Sequence, residues 1–207
     1  MDPRDLAVQS VTPTVMVPRF GDFKELRKYG QRMLAAANGT WFEANRPWLY
    51  VRLPVAPAPL VPVPYGEVTQ KINFRCGKLP KALVLQFIAE ARKRIPNECA
   101  GWIVWNSVLG NWKLLMLEEL KVGHDHVSVA LPVLLDNEHL VIDIHSHGLI
   151  KAFFSDEDNF DDMNDYKISI VVGNLNEDIV TAEFRLCVNG LFMLLPSMFT
   201  SPSEVME

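Results

Sequence analysis

The chain has 207 residues, 49% of them hydrophobic, and a formal net charge of −5. That length suits one main core with an appendage better than two equal domains. The acidic balance, with no basic run longer than Arg92-Lys93-Arg94, argues against nucleic acid as a direct partner.

The amino terminus lacks a basic region followed by an apolar run, and no stretch approaches the roughly 20 apolar residues of a membrane span. A cytoplasmic protein with no membrane partner is therefore expected. In chain order, Asp22 is placed to cap a helix over "FKELRKYGQRMLAAA", 23–37, stopping near Asn38 and Gly39, and "WLYVRL", 48–53, reads as a strand. "PVAPAPLVPVP", 54–64, carries five prolines, so it reads as an extended connector or edge segment rather than a helix or central strand. The expected division is an N-terminal appendage over 1–65, a main domain over 66–200 and a C-terminal tail over 201–207.

"PKALVLQFIAEARKRI", 80–95, opens with proline at a first helical position and repeats apolar residues at Val84, Phe87, Ile88, Ala91 and Ile95, the pattern of an amphipathic helix. Strands follow at "CAGWIVWN", "WKLLMLEEL" after the turn-like "VLGN", "HVSVALPVL", "LVIDIHSH", "KISIVVG", "TAEFRLCV" and "LFMLL". One helix interrupts them, at "SDEDNFDDMND", whose serine and acids suit a helix first turn. The expected fold class is α+β, a mixed sheet flanked by helices. Cys76, Cys99 and Cys187 are odd in number and form no CxxC pair, which fits reduced, buried thiols.

"HSHGLIKAFFSDED", 145–158, concentrates the chemistry. On a strand with period two, His145 and His147 point the same way with Cα atoms roughly 6.5 to 7 Å apart, close enough for their imidazoles to share one zinc ion. A helix beginning at Ser155 puts Asp158 in its first turn, where a carboxylate is electrostatically favoured. Two histidines and one aspartate leave a fourth zinc position open to water, the stoichiometry of a catalytic site. The competing reading needs no metal: Ser155-x-x-Asp158 is also a capping-box start, and caps far outnumber metal sites. Asp156 and Glu157 read as solvated first-turn residues, and Asp143 as a structural group behind the histidines. A second pair, His124 and His126, has no Ser-x-x-Asp behind it and reads as an exposed loop or strand start.

His145-x-His147, seven residues, then Ser155-x-x-Asp158 resembles the JAMM signature of the JAB/MPN metallopeptidases, H-[ST]-H-x7-S-x-x-D, at every position. The resemblance covers roughly residues 70 to 195. It implies a cytidine-deaminase-like architecture, one Zn2+ held by His145, His147 and Asp158 with a bound catalytic water, and Ser155 as an active-site residue. It also implies an upstream glutamate at the head of a strand that follows a helix. Glu98 fits that place, although spacing alone does not choose it over Glu118, Glu119 or Glu138. In such a site the metal lowers the pKa of its water, Glu98 moves the proton to the leaving amine, and Ser155 donates to the developing oxyanion.

By the same resemblance the substrate is the Gly-Gly tail of a ubiquitin-like or sulfur-carrier-like protein, with an E1-like activating protein as a further partner. Asp158 stands nine positions before "KISIVVG", which leaves no long insertion there for a second ubiquitin. The alternative is a metal-binding or catalytically silent MPN-type scaffold. Two other zinc enzymes fit poorly: nucleobase deaminases need a CxxC that the chain lacks, and amidohydrolase barrels take about 250 residues.

Overall fold

The computed structural model describes residues 2–123 and 126–196. The chain divides into two units, Met1–Lys78 and Leu79–Glu207. The division falls after the proline-rich stretch, which lies inside the first unit, because the chain returns from it to add another strand to the same sheet. The expected tail at 201–207 lies outside the described residues.

The first unit opens with α1 (Pro3–Val11), whose N-cap Asp2 accepts a 2.8 Å bond from the Arg4 amide. Its sheet has the order β1 (Thr14–Met16), β2 (Gly30–Ala36), β3 (Gly39–Asn45), β4 (Leu49–Ala56), β5 (Lys71–Phe74); β1 and β2 run parallel and the other pairs antiparallel. The helix expected over 23–37 is therefore absent, and β2 occupies its second half. The stretch is rich in helix formers, but pairing on both sides outweighs propensity. Leu34 faces Val15 on one side and Trp41 on the other, and Leu34 and Ala36 are buried with Val17, Trp41 and Val68. The Asn38-Gly39 signal ends a strand at a hairpin rather than a helix. The strand expected at 48–53 is β4, and its Pro54 pairs only with β3.

The second unit holds a six-stranded mixed sheet in the order β13, β12, β11, β10, β6, β7 and a separate hairpin of β8 and β9. These strands are β6 (Ala100–Asn106), β7 (Trp112–Met116), β8 (Glu118–Gly123), β9 (His126–Ala130), β10 (Glu138–Ser146), β11 (Tyr166–Gly173), β12 (Thr181–Val188) and β13 (Leu191–Leu194). The single strand expected over "WKLLMLEEL" is broken at Leu117, where the chain leaves the main sheet for the hairpin. The strand expected over "HVSVALPVL" ends at Ala130, short of Pro132, which has no amide to give a ladder.

The amphipathic helix is α2 (Lys81–Arg92), with Val84, Phe87, Ile88 and Ala91 buried. Gly101 makes room for it: a Cβ there would meet the Phe87 ring at 3.0 Å. Gly101 pairs with Ile144, so α2 covers the face carrying the fully buried Ile142, Ile144, Ile168, Ile170 and Leu186. β10 and β11 are the parallel pair, and the connection between them carries the second helix, α3 (Asp156–Asp161). The architecture is α+β, as the element pattern predicts. The three cysteines are buried and joined by no disulfide. No described helix is long and apolar enough to cross a membrane.

Candidate metal centre

The centre forms where β10 ends. His145 is flanked by Ala100 of β6 and Val171 of β11, and the His147 amide donates to the Val172 carbonyl at 2.8 Å. Both imidazoles thus leave the sheet on the face opposite α2. The chain then turns back tightly. The Asn174 amide bonds the Ile150 carbonyl at 2.8 Å, the Ala152 amide bonds the Thr181 hydroxyl at 2.9 Å, and Gly173 passes so close that a Cβ there would lie 2.1 Å from the Ile150 oxygen. Pinned this way, the loop delivers Ser155 to the start of α3.

Ser155 closes a complete capping box. Its hydroxyl accepts from the Asp158 amide at 3.1 Å, while its own amide and hydroxyl both donate to Asp158 Oδ2 at 2.7 Å. The capping reading of Ser-x-x-Asp is realised, and it does not compete with the metal reading, because the two carboxylate oxygens divide the work. Oδ2 serves the cap, and Oδ1 lies 3.2 Å from His145 Nε2.

One ligand atom each from His145, His147 and Asp158 lies within 4.8 Å of the others. The two histidine Nε2 atoms face one another at 3.2 Å. Two neutral imidazoles in that pose present lone pair to lone pair unless a proton or cation stands between them. Zinc at about 2.0 to 2.1 Å from each nitrogen, at a tetrahedral angle, separates the nitrogens by about 3.3 Å. The donor set therefore fits zinc. His147 Nδ1 is buried without a hydrogen-bond partner of ordinary geometry, with the Lys151 backbone beside it. Burial, then the neighbouring His145, hold the His147 imidazole below its ordinary pKa, in the neutral form a metal needs. The Phe153 ring packs edge-on against His147 at 4.6 Å.

Glu98 sits two positions before β6. The Ser146 amide bonds the Cys99 carbonyl at 2.9 Å and the Cys99 amide bonds the Ser146 hydroxyl at 3.0 Å, so continuing the His145–Ala100 register sets Glu98 opposite His147. Burial, then the negative charges of Asp158 and Glu157, raise the Glu98 carboxyl above its ordinary value against the pull of His147. Glu138, by contrast, opens β10 seven residues from His145, roughly 23 Å along the strand, and is paired with Lys113 at 2.6 Å. Glu118 and Glu119 begin β8. His126 opens β9, and His124 lies outside the described residues.

Asp156 and Glu157 are exposed, and Asp143 bonds Lys167 at 2.8 Å. Lys167 also meets Asp162 at 2.7 Å and Asp165 at 3.0 Å, and Arg185 meets Asp162 at 2.6 Å. Neither basic residue stands out in the sequence by spacing to the motif. The signal for both is alternation: in the buried-type strands "YKISIVVG" and "TAEFRLCV" a lone cation falls on one face, and a buried cation requires partners.

Residues 80–187 match the family described as prokaryotic homologs of the JAB domain, and residues 2–75 match a domain of unknown function, DUF2016. No curated protein matches the chain. The solution structure of protein DSY2949 from Desulfitobacterium hafniense is similar at 15% identity and a TM-score of 0.42, covering 56% of this chain and 86% of that one.

Proposed function

The chain belongs to the prokaryotic homologs of the JAB domain, and on that premise we propose that it is a zinc-dependent peptidase or isopeptidase of the JAMM type. The observation that carries the reading is the convergence of His145 Nε2, His147 Nε2 and Asp158 Oδ1, a three-ligand set that leaves a zinc coordination place open. Bound zinc supplies a water of lowered pKa and polarises the scissile carbonyl.

The remaining work falls to the chain's own groups. The Glu98 carboxylate takes the water's proton and returns it to the leaving amine, a task suited to a carboxyl set opposite His147 and held above its ordinary value by burial. The Ser155 hydroxyl swings from Asp158 Oδ2 to the oxyanion that develops on the attacked carbonyl. The Ser155 amide keeps its 2.7 Å bond to Oδ2, so Asp158 stays oriented while the hydroxyl is away. The substrate is the Gly-Gly tail of a ubiquitin-like or sulfur-carrier-like protein: small residues let an extended tail approach the centre, and strand addition supplies main-chain hydrogen bonds. An E1-like activating protein is the further partner of that chemistry, and the cytoplasm its setting. In length and in its separate N-terminal section the chain is similar to bacterial PRTRC system protein A.

The test incubates zinc-loaded protein with ubiquitin-like fusions carrying Gly-Gly and a short extension, with Glu98→Gln as control. Cleavage after Gly-Gly is expected, falling about 100-fold or more in Glu98→Gln with zinc content unchanged. Equal cleavage of unrelated unfolded peptides would overturn the substrate class. Full activity in Glu98→Gln would remove Glu98 from the role of base. No cleavage of any substrate by zinc-loaded protein would favour the silent scaffold.

A further inference from the structure

Helix α3 must hold Asp158 in place, yet it has no buried residue of its own and spans only Asp156–Asp161. Phe160 is 76% exposed and Met163 48% exposed, so no apolar stripe fastens the helix to the sheet. What reaches it from the sheet is charged: Lys167 of β11 meets the C-cap Asp162, and Arg185 of β12 meets that carboxylate and the helix itself. Arg185 is 3% exposed, and its guanidinium spends its donors along the inner side of α3. Nη1 bonds Asn159 Oδ1, Nη2 bonds the Asp158 carbonyl at 3.0 Å, and both Nε and Nη2 bond Asp162 Oδ2 at 3.1 and 2.6 Å. Phe154 and Phe192 stack on the cation at 3.9 and 4.4 Å, which fixes the plane of the fork.

We propose that Arg185 is the positioning residue of the metal centre: through α3 it sets the place of Asp158, and so tunes how tightly the chain holds its metal. The inference rests on the reading of His145, His147 and Asp158 as a metal centre. His145 rides on a strand paired on both sides, His147 follows one residue past its end with its amide bonded to the Val172 carbonyl, and only the third ligand depends on a short helix. The bond to the Asp158 carbonyl acts on the ligand's own backbone, and the capping box acts on its carboxylate. Arg185 and Ser155 thus grip the same residue from two ends. Groups that orient a ligand typically change metal affinity by about 10- to 100-fold.

The test uses the full chain and reads zinc affinity by chelator competition, the visible spectrum of the cobalt-substituted protein, and the thermal midpoint of the metal-free protein. Arg185→Lys keeps the charge and loses the fork, since one ammonium cannot reach Asp162, Asn159 and the Asp158 carbonyl together. Leu186→Ala is the control, because Leu186 is buried on the other face of β12 and destabilises the sheet without touching α3. Arg185→Lys is expected to weaken zinc binding by about 10-fold or more and to alter the cobalt spectrum. Leu186→Ala is expected to lower the midpoint at least as far while leaving both metal readouts unchanged. Wild-type affinity in Arg185→Lys, or an equal loss in Leu186→Ala, would overturn the inference and leave the metal centre standing. A wild-type chain that binds no zinc would overturn the centre, and the inference with it.

Discussion

Helices α2 and α3 cover opposite faces of the same sheet and are attached by opposite physics. α2 buries Val84, Phe87, Ile88 and Ala91 against strands lined with isoleucine, so its position follows from apolar burial and packing. α3 buries none of its residues and is attached through Asp158, Asn159 and its C-cap Asp162 to Arg185 and Lys167. Burial holds a helix firmly but without direction, whereas hydrogen-bonded ions fix an orientation and cost desolvation to assemble. The element that carries a ligand is the one attached directionally.

Cutting into the apolar attachment is expected to have the larger effect on stability. Phe87→Ala should destabilise the second unit by about 3 to 5 kcal/mol, the usual cost of a cavity left by a buried aromatic. Zinc affinity of the protein that remains folded should not change; denaturant melts and chelator competition on the same variant check both statements. A variant that lost metal in proportion to stability would dissolve the contrast between the two helices.

Acid should separate the helices without mutation. Burial pushes the Asp162 carboxyl up, but Lys167, then Ser169 and Arg185, outweigh it and hold it below its ordinary value of 3.8. A carboxyl depressed in the folded state contributes stability above 3.8 and loses it as pH falls through the lowered value. Lys167 is held above its ordinary range by Asp143 and Asp162 against the effect of burial, so it stays charged throughout this window. Asp143, raised by burial against the pull of Lys167, protonates first and leaves Lys167 to Asp162 and Asp165. Below pH 3.8, therefore, the amides of Asp156–Asp161 should lose hydrogen-exchange protection before those of Val84–Ala91. Simultaneous loss would mean that one cooperative unit carries both helices.

The smallest effect is expected from the outer side of α3. Phe160→Ser removes a ring that is 76% exposed and should shift stability by no more than about 0.5 kcal/mol, with zinc affinity unchanged. A larger loss by thermal melting would show that α3 leans on an apolar contact after all.

Periodicity made the second unit legible and misread the first. α2 could be read because its apolar residues recur at helical spacing, and β10 and β11 because buried strands leave long apolar runs. Residues 30–36 looked helical because Arg32, Met33, Leu34 and the alanines all favour helices; what makes them a strand is pairing with Val15 and Trp41, which local sequence does not carry. The division between the units lies beyond the prolines for a similar reason: they belong to the first unit, and β5, only Lys71–Phe74, gives too short a signal to show the chain returning. At the site, the spacing of His145, His147, Ser155 and Asp158 was readable because ligands on one strand and one helix turn keep fixed intervals. Glu98 was less so, since its nearness to His147 depends on the β6–β10 register. Arg185 and Lys167 act on the ligands through α3 and keep no spacing to them, so only the alternation of their strands marks them in the sequence.

Zinc counted per chain decides whether His145, His147 and Asp158 form one metal centre. Purified wild-type protein, dialysed against buffer with limiting zinc, is expected to retain about one ion per chain, and the His145→Ala, His147→Ala double variant none, because two of the three protein ligands are gone. Stoichiometric zinc persisting in the double variant, with its fold intact by circular dichroism, would contradict the claim.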